Sequence, residues 1–255
     1  WQFSPMLKQY VLPFRYRIIS RTDDLTLRTC DLALFVTEQI RSRYIEKHSW
    51  LRGKTHTITN GFDEEDFSRD GISLIKAKTF KEYSLVYMGK LHISYGSPSP
   101  LLEAMKLCKK PDSRMVHIGS ADSIVLDAIA NAGYSNYSFE GYKAHSEALS
   151  YSLGADINLI ILADTPESEH VFTGKLFELI RVGKPIIAIG PKNSIIKDVL
   201  ASTGSGSYCY RKDIPGIVKQ LNEIIDHPEA FQAKPEAIKQ YSREVLTAKL
   251  LKLYD

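Results

Sequence analysis

The chain has 255 residues, 44% hydrophobic and 25% charged, an ordinary globular composition long enough for one large domain or for one domain and part of another. With 33 basic against 30 acidic residues the net charge is only +3, which excludes a nucleic-acid binder working by bulk electrostatics, so any anion must be held locally. Cys30, Cys108 and Cys209 are far apart and odd in number, with no Cys-x-x-Cys, which argues against a disulfide framework or a zinc site and for reduced core residues.

Residues 1–70 begin with a basic, aromatic segment (Arg15, Tyr16, Arg17, Arg21), followed by the apolar run Leu32-Ala33-Leu34-Phe35-Val36, a polar helix to about His48, and Thr55-His56-Thr57-Ile58-Thr59. Two short strands around one helix have too few layers to cover both faces of a parallel sheet, so this part reads as the end of a larger α/β domain. The arginines suit either anionic lipid, as a peripheral membrane contact, or a solvated helix face. Asn60 to Asp66 reads as a turn and acidic linker.

From about residue 80, apolar runs at 85–88, 115–118, 137–139, 157–162, 185–189 and 207–210 alternate with helical patterns near 98–108, 122–132, 145–153, 174–182, 193–202 and 213–226. Six strands with helical crossovers predict a doubly wound parallel sheet, an α/β fold of Rossmann-like type over residues 71–227. Gly89, Gly119, Gly141 and Gly190 are placed at strand ends, where ligands of open α/β sheets gather, although tight turns alone would use glycine there too. Residues 228–255 are Lys-rich and helical, and are expected to return to the N-terminal segment. No apolar run approaches the roughly 20 residues that span a bilayer, and no charged-then-apolar leader opens the chain, so a cytoplasmic protein is expected. The chain starts at Trp1 and passes directly into helical pattern, which reads as a fragment lacking an N-terminal part.

The stretch that carries most chemistry is Thr173-Gly174-Lys175-Leu176-Phe177-Glu178, with Gly183-Lys184-Pro185 shortly after. It reads as a polar loop opening an amphipathic helix that stops at glycine and runs into a buried strand. Such a start offers unpaired backbone N–H groups, the positive end of the helix dipole and the Lys175 charge, a corner suited to phosphate. Glu178, one turn on, can accept two hydrogen bonds from a vicinal diol such as a ribose. Phosphate beside ribose suggests a nucleotide-sugar. Lys and Glu on a helix are most often solvated surface, however, and a Gly-Lys-Pro turn most often only stops a helix.

In sum these pieces resemble the C-terminal, donor-binding half of a GT-B glycosyltransferase of the large retaining family that includes many bacterial polysaccharide and lipopolysaccharide enzymes. Residues 30–37 with Tyr44 look like that family's last N-domain strand and helix, and Ile58-Thr59-Asn60-Gly61-Phe62-Asp63 is similar to its interdomain turn. Leu85 to Leu91, with Tyr95-Gly96 and residues 101–104, resembles the first donor-domain strand and phosphate loop; Phe139 to Tyr142, residues 155–159 and the stretch from Lys175 to Pro185 complete the match. The resemblance implies that Glu178 binds the donor ribose and that backbone N–H groups around Thr173, Gly174 and Lys175 hold the diphosphate. It also implies that Lys90, next to Gly89, takes the basic phosphate-contacting position and that Gly141 and Tyr142 lie on the nucleobase loop. The implied reaction is sugar transfer from a nucleoside diphosphate to the hydroxyl of a glycan or lipid-linked acceptor, with no cofactor and no metal.

Three features depart from that pattern. His170 stands where the family often has a second glutamate, Ser94-Tyr95-Gly96 stands where Lys-Gly is expected, and most of the acceptor domain is not in the chain. His170 suits either a pocket edge in contact with phosphate or sugar, or a water-facing loop. Gly53-Lys54-Thr55 lacks the glycine of a phosphate-binding loop at position 48, and there is no Gly-x-Ser-x-Gly. The rival readings are a sugar-nucleotide epimerase on the same architecture and a non-catalytic nucleotide-binding or scaffold subunit.

Overall fold

The computed structural model describes residues 12–69, 72–73, 75–92 and 97–254. By internal contacts the chain divides into two units, Trp1–Thr59 and Asn60–Asp255. In the smaller unit helix α1 (Pro13–Thr29) has proline in its first turn, where the missing N–H costs nothing, and buries none of its residues. Strand β1 (Ala33–Phe35) leads into α2 (Glu38–Lys47), whose cap is Thr37, its Oγ1 accepting from the Ile40 N–H at 3.2 Å. Strand β2 (Thr55–Thr57) pairs with β1 in parallel, and the Tyr44 ring packs on Phe35 with centroids 4.9 Å apart.

The acidic linker belongs to the larger unit, which moves the first boundary from the expected residue 70 to Thr59. Attraction explains this. Arg243 reaches Asp63 at 3.0 Å, Arg181 binds Glu64, and Phe62 bridges to Ser242 in the C-terminal segment. A two-residue antiparallel pair, β3 (Ser68–Arg69) with β4 (Ile72–Ser73), follows the linker and had no signal in the sequence.

The core of this unit is a six-stranded parallel sheet of β5 (Ser84–Leu91), β6 (Arg114–Ala121), β7 (Tyr137–Gly141), β8 (Ile157–Ile161), β9 (Ile186–Gly190) and β10 (Gly206–Tyr210), in the order β10-β9-β8-β5-β6-β7. Crossovers are α3 (Ser99–Leu107), α4 (Ser123–Asn131), α5 (His145–Gly154), α6 (Lys175–Val182) and α7 (Ile195–Thr203), with α8 (Ile214–Asp226) after the last strand. The period of two sorts side chains between two layers. Leu85, Tyr87, Leu159, Ile187 and Ile189 pack with α3, α4 and α8; Val86, Met88, Ile160, Ile186 and Ala188 pack with α5, α6 and α7. Both faces are covered, which is why the central strands read as continuous apolar runs. Helices α9 (Pro235–Lys239) and α10 (Arg243–Leu251) end the chain.

Cys108 and Cys209 are buried as expected, and Cys30 is only partly so. Among the described residues no helix is long and apolar enough to cross a membrane.

Candidate functional site

The strand order sets the place of the site. The chain lays down β5, β6 and β7 toward one edge and then returns to the other side of β5 with β8, so the direction of winding reverses between β5 and β8. Crevices above the carboxyl ends of strands at such a reversal are where open α/β sheets bind ligands. Pairing between the two strands stops at Tyr87↔Leu159, while β5 runs on to Leu91 and β8 to Ile161. In that opening lies a cavity of about 290 Å³ lined by residues 87–90, 159–161 and 173–175.

Gly89 and Lys90 line one wall; Thr173, Gly174 and Lys175 line another, at the start of α6. No side chain caps that helix start, and the buried Oγ1 of Thr173 has no hydrogen-bond partner in the protein. An orphaned buried hydroxyl is costly unless something outside the chain completes it. Helix α6 turns Leu176, Phe177, Leu179 and Ile180 into the core, which leaves Lys175 and Glu178 on its other side, and it ends at Gly183 in the left-handed conformation (φ 77°). That ending is the one the Gly-Lys-Pro turn predicts.

Three consecutive carbonyls at the tip of β5 are each held by a side chain. Lys175 Nζ donates to Met88 O at 2.6 Å, His117 Nε2 to Gly89 O at 2.9 Å, and Tyr87 OH to Lys90 O at 3.1 Å. A carbonyl only accepts, so Nε2 of His117 carries the proton and Nδ1 accepts from Tyr137 OH at 2.7 Å. Burial pushes the His117 imidazole down to about 4, with the Lys175 charge acting in the same direction. Burial likewise holds the Lys175 ammonium below the usual lysine range, and Glu178 opposes that shift. The sequence assigned Lys175 a charge for the ligand; in the structure that charge is also committed to the strand.

Gly89 and Gly119 are not strand ends, contrary to the sequence reading. They pair with each other inside the β5–β6 ladder, and Gly119, at φ 132°, brings its backbone so close that a β-carbon would press into Gly89 O. Gly141 and Gly190 do terminate β7 and β9.

Glu178 lies outside the lining of the cavity, one turn along α6. Its Oε1 is 3.3 Å from Nε2 of His145, whose Nδ1 is 4.0 Å from Asp66 Oδ1. Ligand atoms of these three residues lie within 4.8 Å of one another. His170 ends the turn Pro166–His170 and is partly buried. Gly141, at φ 70°, and Tyr142, 85% exposed, sit at the end of β7. None of these last three lines the cavity. Tyr95 and Gly96 lie outside the described residues. Sequence reasoning missed His117 and His145: a histidine in an apolar strand and one at a helix start carry no sign of the distant partners they meet.

The sequence matches no protein-family model, and no curated protein matches it. Solved structures do match. The chain is similar to the Anabaena protein HepE in complex with UDP, with a TM-score of 0.72, 15% identity, and coverage of 99% of this chain and 69% of that one. It is similar to a sucrose-phosphate synthase from Thermosynechococcus elongatus, with a TM-score of 0.69, 15% identity, and coverage of 91% and 59%. The pneumococcal O-GlcNAc transferase GtfA, in complex with UDP and GlcNAc, gives a TM-score of 0.62 at 16% identity, covering 88% and 44%. The chain spans about two thirds or less of the length of these proteins. Its fold is therefore that of GT-B glycosyltransferases, a Rossmann-like α/β sheet with helices on both faces.

Proposed function

We propose that this chain is the donor-binding part of a glycosyltransferase, which takes a sugar from a nucleoside diphosphate and passes it to a glycan or lipid-linked acceptor in surface polysaccharide synthesis. The observation that carries this reading is the cavity at the winding reversal, where Lys90, Lys175, the uncapped start of α6 and the unpartnered Thr173 hydroxyl meet. Two ammonium groups and helix-terminal N–H donors suit a diphosphate, and they would stabilise the charge that develops on it as the leaving group departs. Glu178, next along the helix, suits the ribose; Gly141 and Tyr142 suit the base, and His170 the edge of the sugar site. No cofactor enters this scheme, and the two positive side chains do the work that a metal would do. UDP and UDP-glucose bound to HepE favour uridine as the base.

Calorimetric titration of UDP, GDP and ADP into this chain and into Glu178→Ala tests the reading. Binding of one nucleotide in the micromolar-to-millimolar range, weakened about tenfold or more in the variant, is expected from loss of hydrogen bonds to a charged group. Equal or absent binding of all three by the intact chain would refute it.

A further inference from the structure

His145 is the first residue of α5 and sits between two carboxylates from two other elements. Nε2 faces Glu178 Oε1 at 3.3 Å and Nδ1 faces Asp66 Oδ1 at 4.0 Å. The two nitrogens lie on opposite edges of the ring, and each addresses a different acid. Only Nε2 lies within hydrogen-bond distance of its acid, so an N–H placed there makes the ring an orienter of the Glu178 carboxylate.

The group worth fixing is Glu178. It sits on the non-core side of α6 with its side chain 22% exposed, where a glutamate has several rotamers open to it. A carboxylate that reads two adjacent hydroxyls must present its oxygens in one orientation, because both hydrogen bonds depend on the same torsions. With Oε1 anchored from one side, the remaining lone pairs face a defined direction.

We propose that His145 is a positioning residue that sets the Glu178 carboxylate for the two vicinal hydroxyls of the donor ribose, with Asp66 facing the far side of the imidazole at ion-pair distance. This rests on the donor-site reading above. His145 therefore controls discrimination between ribose and deoxyribose more than it controls affinity in general.

The test is calorimetric titration of UDP and 2′-deoxy-UDP, or of the GDP or ADP that the first titration selects and its 2′-deoxy form, into the intact chain, His145→Ala, His145→Gln and Glu178→Gln, with folding checked by circular dichroism. The intact chain should favour the ribonucleotide by about tenfold, the worth of one hydrogen bond to a charged group. His145→Ala should reduce that preference to about twofold. His145→Gln, whose amide N–H still donates, should keep most of it. A purely structural histidine would weaken both nucleotides by the same factor and leave their ratio unchanged, and that result overturns the proposal. If the intact chain shows no preference, or Glu178→Gln leaves it intact, the ribose contact assigned to Glu178 fails and takes the proposal with it, whereas equal or absent binding of all three nucleotides refutes the donor-site reading itself. If Glu178→Gln abolishes the preference while His145→Ala keeps it, only the role of His145 is lost. Zn²⁺ or Mn²⁺ that raises the melting temperature of the intact chain but not of His145→Ala would show a metal site and overturn the positioning role.

Discussion

Acid should destabilise the larger unit through His117. This imidazole is fully buried, donates to Gly89 and accepts from Tyr137, and is held down at about 4 against an ordinary value of 6.5. The unfolded chain therefore binds one more proton than the folded chain between those two values. Stability from this group is complete above about pH 6.5 and is lost as pH falls toward about 4. Integration of that difference gives a loss of about 2 kcal/mol between about pH 7.5 and about pH 5, and about 3 kcal/mol at the acid limit. His117→Gln does not titrate, keeps an N–H for Gly89, and removes this dependence. Urea unfolding followed by circular dichroism at both pH values measures it: with a slope of about 2 kcal/mol per molar, the wild-type midpoint should fall by about 1 M more than that of the variant. Other titrating groups cancel in the comparison. Equal shifts in the two proteins would refute the assignment of a neutral, buried His117.

Two further substitutions examine the tip of β5. Gly119→Ala places a β-carbon against Gly89 O at a backbone angle that L residues disfavour, and should lower the melting temperature by about 5 °C or more, corresponding to roughly 2 kcal/mol; an unchanged melting temperature would contradict the close approach. Lys175→Met gives up the bond to Met88 O but also relieves burial of a charge, so stability measured by urea unfolding should change by less than about 1 kcal/mol, while titration should show UDP binding weakened about tenfold or more.

The sheet was legible because its strands are buried on both faces. Continuous runs such as Ile157 to Leu162, short and separated by helical patterns, read as central strands, and the helices between them start and stop within about two residues of their predicted limits. Strand length was misread at Gly89 and Gly119 because glycine signals a turn in sequence but here allows two strands to close on each other. The corner at the start of α6 was legible because Thr173, Gly174 and Lys175 are consecutive and open a helix. The surroundings of Glu178 were not: His145 lies 33 residues away along the chain and Asp66 is in the linker, and only the packing of α5 beside α6 brings them together. The commitment of Lys175 to Met88 O, 87 residues away, is of the same kind.

A crystal structure of this chain soaked or grown with UDP tests the central claim most directly. The account predicts diphosphate density between Lys90, the Thr173 hydroxyl and the start of α6, with the ribose hydroxyls on Glu178. Diphosphate bound elsewhere on the chain, with that cavity holding only water, would contradict it.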